Sequence, residues 1–180
     1  MTRSVQSIRP SSLSSWYVAR LAPLEALIRL KQGDVAAASR WAVSQEDGLN
    51  GYFDTFEYWF ACLTLARVNI AQGQLDEALG LLTRLLKTAE AAGGRHYVIA
   101  SLALQAIVMQ AQGKLDQALT ALEGALSLAE PEGYVRIFID EGAPMAALLR
   151  TAASRGIALD YVSKLLAAFG EVAFPSAPPC

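Results

Sequence analysis

The residues with the most chemical potential in this chain are few and far apart. The single histidine, His96, could act as a base or a ligand, but it follows the Gly93-Gly94 pair and reads as an ordinary surface or capping residue. Cys62 lies in an apolar run and reads as a small core residue, while Cys180 is the last residue, so the two thiols make no disulfide framework. A metal site needs several His, Cys or carboxylate ligands together, and neither His96 nor Cys62 has such companions. No metal and no cofactor is expected. Asp140 and Glu141 are adjacent carboxylates, and a helix starting after them is reason enough for both, because partial positive charge collects at a helix N-terminus. Serine is plentiful, yet no Gly-x-Ser-x-Gly elbow presents one as a nucleophile. The only Gly-Lys pair, Gly113-Lys114, is not a phosphate-binding loop, since Val108 stands where the first glycine should be. No catalytic residue is assigned, and the chain reads as a binding protein rather than an enzyme.

Side chains that could bind something must be positioned by the chain's internal repeat. Gly33, Gly73 and Gly113 are 40 residues apart, in the contexts Lys-Gln-Gly-Asp-Val, Ala-Gln-Gly-Gln-Leu and Ala-Gln-Gly-Lys-Leu. Around each glycine the same types recur. Seven residues before it stand Ala26, Ala66 and Ala106; two after it, Val35, Leu75 and Leu115; five after, Ala38, Ala78 and Ala118; nine after, Ala42, Leu82 and Leu122. The glycine ends one helix, because it alone enters the left-handed conformation freely. The next helix starts at once, with Asp34, Asp76 and Asp116 near its N-terminus. The apolar positions form one helical stripe, and the facing alanines allow two helices to approach closely. Each unit is therefore a helical hairpin that must stack on its neighbours to bury its apolar face.

The pattern predicts an all-α fold, a right-handed superhelix of antiparallel helical hairpins. It resembles the tetratricopeptide repeat, with a period of 40 in place of the usual ~34, and fits the HEAT repeat less well. Residues 1–12 read as a disordered leader, 13–170 as the repeat domain and 171–180 as a linker or tail. Pro23 predicts a kink or break near Leu21. The nearly all-apolar helix over 55–72 is expected at the centre of the domain, and Gly170 is expected to close the last helix. The segment 133–141 reads as a short helix or an extended link.

In this register the first helix of each hairpin lines an inner face, through the residues thirteen, six and three before the glycine. The groove candidates that result are Arg20, Phe60, Arg67 and Gln110, with Arg67 able to clamp a carboxylate or phosphate or else to pair with an acid such as Glu57. The aromatic run Tyr58, Trp59 and Phe60 reads as core before it reads as a ligand shelf.

Composition narrows the partners. Hydrophobic residues reach 53%, which raises the question of a membrane, but no apolar run approaches the roughly 20 residues of a spanning helix. Nor is the start a signal peptide. A cytoplasmic location is expected. Net charge is −2, with no basic cluster, so direct DNA binding by this segment is not expected.

Two longer stretches carry a resemblance. Arg67-Val68-Asn69-Ile70-Ala71-Gln72-Gly73-Gln74-Leu75-Asp76-Glu77-Ala78 and Pro131 through Met145 (PEGYVRIFIDEGAPM) resemble segments of MalT-like regulators, the large ATP-dependent members of the LuxR family, the second closing the helical-repeat region there. Tyr161 through Phe169 also fits, so that the likeness covers about residues 20 to 170. The resemblance implies a repeat region that senses an inducer or a partner protein, placed between an ATPase and a helix-turn-helix that are both missing here. It therefore implies a sensor module whose partner is a small-molecule inducer or a protein. The other reading is a free-standing scaffold that binds a peptide or a partner helix. The apolar start of the first hairpin, with Trp16, Tyr17 and Leu21, also predicts self-association through an end face or a covering domain.

Overall fold

The structure, a computed structural model, describes residues 11–44 and 56–173, with side chains described for 21–44 and 56–170. The expected leader up to residue 10, the loop at 45–55, the tail beyond 173 and the side chains of Trp16, Tyr17 and Arg20 lie outside the described residues. Among those described, all regular structure is helical: α1 (Ser11–Lys31), α2 (Val35–Val43), α3 (Phe56–Ala71), α4 (Leu75–Ala91), α5 (Arg95–Ala111), α6 (Leu115–Ala129), a 3₁₀ turn (Glu130–Glu132), α7 (Arg136–Ile139), α8 (Ala143–Ser154) and α9 (Leu159–Ala173).

The repeat glycines end helices in the way their spacing requires. Gly33, Gly73 and Gly113 have φ of 82°, 75° and 76°. At Gly113 the chain makes two bonds back onto α5: Gly113 N–H to Gln110 C=O at 2.9 Å and Lys114 N–H to Met109 C=O at 2.8 Å. That is a Schellman cap, which satisfies carbonyls the helix end would otherwise leave open. The same pair of bonds occurs at Gly33 and Gly73. It also occurs at Gly93 and Gly133. From Gly73 to Gly133 the cap therefore recurs every 20 residues, so the turn between hairpins is built like the turn within one.

The chain divides into two compact units after Val68, inside α3. In the first, α1 packs on α2, and Ala38, Ala42 and Val68 form a buried cluster with Leu30, Trp41 and Leu65 against it. Asp34 caps α2, its carboxylate accepting the Ala37 N–H at 3.0 Å. Of the kink or break expected near Leu21, the break is absent, for α1 runs through Pro23 to Lys31. Proline removes one backbone donor, but its fixed φ is helical, and in the stretch of α1 after it Ala26 is buried and Leu30 packs on Ala38 and Ala42 of α2.

In the second unit α5 is the centre, packed on α4, α6, α7 and α8. Ten of its residues between Val98 and Val108 are buried. The apolar helix α3 is also buried on several sides, with Trp59 and Cys62 inside, but α5 is the more completely enclosed. The alanines seven before and five after the repeat glycines, from Ala26 to Ala118, are all buried, as close helix approach requires. The turn ends of neighbouring hairpins are tied together. The residue before the turn glycine of one hairpin reaches an acid three residues after the turn glycine of the hairpin before it: Gln112 Nε2 to Asp76 Oδ1, and Arg155 Nη1 to Asp116 Oδ1, both 2.8 Å. On the other edge, Arg95 Nη1 meets Glu132 Oε1 at 3.2 Å.

The period then changes. The 3₁₀ turn and the short helix α7 intervene, and the next hairpin, α8 and α9, turns at Gly156, 43 residues after Gly113. The short-helix reading of 133–141 holds for its central residues. Asp140 and Glu141 stand just ahead of α8, whose N-cap is Gly142, and Asp140 also pairs with Arg136 at 2.9 Å one turn back on α7. Gly170 does not end α9, which continues to Ala173, because Gly170 keeps a helical φ. Tyr161 fastens this hairpin to the rest. Its phenol donates to the Tyr134 carbonyl, and its ring meets Phe138 edge-on at 6.3 Å.

Two outcomes follow from these contacts. Gly113→Ala places a Cβ in open space, so only the left-handed φ opposes it, and stability should fall by about 1–2 kcal/mol in a chemical denaturation series. Burial, and then the nearby charge of Glu130, push Tyr161 up from 10.0 to about 12. The folded state thus holds this proton more tightly than the unfolded chain does. Its stabilisation is complete below pH 10 and is lost as pH rises towards 12. Tyr161→Phe should remove that part of the alkaline loss and should cost about 1–2 kcal/mol at neutral pH, since the Tyr134 carbonyl loses its donor.

Candidate functional site

The first hairpin contains a cleft of about 350 Å³ between α1 and α2. Ala22, Glu25, Ala26 and Arg29 line it from one face of α1; Ala37, Arg40 and Trp41 line it from α2, with Asp34 at the turn. Three of these eight residues are alanines, and they leave the space unfilled. In the third hairpin, the position of Ala22 relative to the turn glycine is held by Leu102, whose side chain packs 3.6 Å from where a Cβ on Gly124 of the partner helix would lie.

The cleft's charges are partly spent within it. Glu25 meets Arg29 at 3.6 Å along α1, and Asp34 is held by its cap bond. Both acids are thus engaged, and the cleft supplies no further acid for the exposed guanidinium of Arg40. Trp41 lines the cleft and also packs on the Ala38, Ala42 and Val68 cluster, with its indole Nε1 sealed from solvent and without an acceptor. A guanidinium on the rim, small walls and one aromatic side suit a small ligand that presents an anionic group.

The groove candidates are placed as follows. Phe60 and Arg67 are both half-buried on α3, two turns apart on one face. Phe60 stacks on Phe56, centroids 6.0 Å apart and planes at 10°. Arg67 already has an interaction within the molecule and is not a spare cation. Gln110 is half-buried in the last turn of α5, in the second unit. Arg20 lies on α1, with its side chain outside the described residues. Trp59 is core, as the aromatic run suggested. His96 is exposed at the start of α5, its ring against Tyr97 and Tyr134 at 5.4 and 5.8 Å. Among the described residues no group of three metal-binding side chains occurs, and no helix is long and apolar enough to cross a membrane.

Known proteins add one finding. Residues 6–155 match the family described as the MalT-like TPR region. This chain belongs to that family. The match takes in α1 through α8 and ends just before the Gly156 turn, so the likeness read from Tyr161 through Phe169 lies beyond it. No curated protein and no solved structure matches the chain. Within the MalT-like TPR region, Arg29, Arg40 and Trp41 are the cleft residues that sequence reasoning passed over. A signal was present: alanines at 22, 26 and 37 facing one another, with an arginine three residues after two of them. Reading only the positions that line an inner face left the edge between the two helices of a single hairpin unsearched.

Proposed function

We propose that this MalT-like TPR region is a sensing module: it binds a small anionic ligand in the α1–α2 cleft, and the occupied hairpin is what the rest of a regulator reads. The observation that carries the proposal is the cleft itself, a concave space of small-metabolite size with an arginine left over on its rim. Membership of the family supports a helical-repeat module of MalT-like regulators. The assignment of sensing to this segment, and of ATP hydrolysis and DNA contact to other parts of such a regulator, belongs to the proposal. So does a binding role in place of catalysis, which rests on the absence of a nucleophile with a base beside it in the cleft.

A ligand that binds only the folded chain raises its melting temperature by mass action. A thermal-shift panel of small carboxylates, phosphate esters, neutral sugars and short peptides is therefore the direct test. Anionic metabolites should give a saturable rise in Tm, and Arg40→Gln should abolish it while leaving the unliganded Tm within about 1 °C, since Arg40 is an exposed residue. Stabilisation by peptides alone would favour a scaffold for a partner protein. A panel without effect on the wild-type chain, or a shift that survives Arg40→Gln, would refute the cleft as the ligand site.

A further inference from the structure

Two arginines set the first hairpin apart from those that follow. Arg29 stands four residues before Gly33 and Arg40 seven after it, and both line the α1–α2 cleft, one from each helix. The same two positions hold Asn69 and Gly80 around Gly73, Met109 and Thr120 around Gly113, and Ala152 and Ser163 around Gly156. The later hairpins are thus built without a cation at either place, so the packing of one helix on the other does not account for the pair. Residues equally far from the turn glycine lie level across an antiparallel hairpin. Arg29 and Arg40 therefore differ in level by three residues, about 4.5 Å along the axis. Ala37 is level with Arg29 and Ala26 with Arg40, and these small walls leave the space between the two arginines open.

Neither guanidinium is satisfied within the hairpin. The ion pair of Arg29 with Glu25 spans 3.6 Å, past hydrogen-bond length, and both of its side chains are well exposed. Such a pair contributes little, so Arg29 can leave Glu25 for a stronger acceptor at small cost. On α2, Ala36 and Ser44 stand four residues before and after Arg40, and neither is an acid. One guanidinium is enough for a singly charged group. Two, on opposite walls of one space, offer paired donors to a group with more oxygens and more charge than a carboxylate has. A phosphate monoester is such a group, with three acceptor oxygens and about two negative charges at neutral pH. The volume of about 350 Å³ leaves room for a small organic body beside the phosphate, against the ring of Trp41.

We infer that the α1–α2 cleft is a phosphate-monoester site, in which Arg29 and Arg40 clamp the phosphate from opposite helices. The inference rests on the reading of the cleft as the ligand site, and adds to it the class of anion and a second cation. Glu25 is then a competitor of the ligand: it holds Arg29 until a phosphate displaces it.

Isothermal titration of the chain with phenyl phosphate and phenyl sulfate tests it, because the two esters are alike in shape and differ by one charge. Phenyl phosphate should bind at least about tenfold more tightly at about pH 7.5. The preference should vanish towards about pH 5, because a phosphate ester takes up its second proton near about pH 6. Arg29→Gln should weaken phenyl phosphate binding about tenfold or more and leave phenyl sulfate within about twofold, since a single charge does not draw Arg29 off Glu25. Glu25→Gln should tighten phenyl phosphate binding severalfold. Far-UV circular dichroism should be unchanged in both variants, as both side chains are exposed. Equal affinity for the two esters, phosphate binding indifferent to Arg29→Gln, or tighter binding of glutarate, with one carboxylate for each arginine, would each overturn the inference while leaving the cleft a ligand site. If neither ester binds, or Arg40→Gln weakens neither, the reading of the cleft fails and this inference with it.

Discussion

The constraint on which this structure depends is the left-handed residue at the end of each long helix. A positive φ at glycine reverses the chain within two or three residues, and the two back-bonds of each cap leave the reversed segment no freedom to drift. Helices of similar length must then lie side by side, and only small side chains at the facing positions let them do so. The buried alanines around Gly33, Gly73 and Gly113 answer that requirement. Where the caps fall every 20 residues, from Gly73 to Gly133, successive helices are interchangeable in construction, and α5 can be enclosed from several directions at once.

Side-chain ties between turns belong to the same logic. Because each cap places its flanking residues in the same geometry, a residue just before the turn glycine of one hairpin comes within reach of an acid just after that of the hairpin before it. Gln112 with Asp76 and Arg155 with Asp116 are the same tie made with different donors. The tie from Arg155 persists although α7 has lengthened the interval to Gly156. These groups are exposed, so their contribution is to alignment of the turns more than to stability. The last hairpin is held by buried contacts, α8 against α5 and α6, and Tyr161 against Tyr134 and Phe138.

Features that recur were legible in the sequence. Three glycines with matched neighbours announced helix ends, and α1, α3 and α5 each stop two residues before one of them while α2, α4 and α6 each begin two residues after. Features that depend on what is absent were not legible. The cleft exists because Ala22, Ala26 and Ala37 fail to fill a space, and a pattern search scores alanine as a good helix residue, not as a missing volume. The open face of α1 was visible only in part: the apolar start of the hairpin stood out, but that Leu24 and Ile28 are open while Thr64 and Val68 are closed is a property of the neighbours each helix has. Pro23 and Gly170 misled because residue propensity was read without packing; α1 is held alongside α2, and α9 keeps its helical geometry past the glycine. Among the groove candidates, Phe60 and Arg67 do share a face of α3, yet Arg67 is already engaged, which sequence spacing does not reveal.

Trp41 occupies two environments at once. One side of its ring borders the space between α1 and α2, and the ring also rests on Ala38, Ala42 and Val68. On the proposed reading, a ligand in that space would bear on the same flat plate that rests on Val68 of the helix after the hairpin. Filling of the pocket and tightness of that wedge would then be one mechanical variable, with the indole as its pivot.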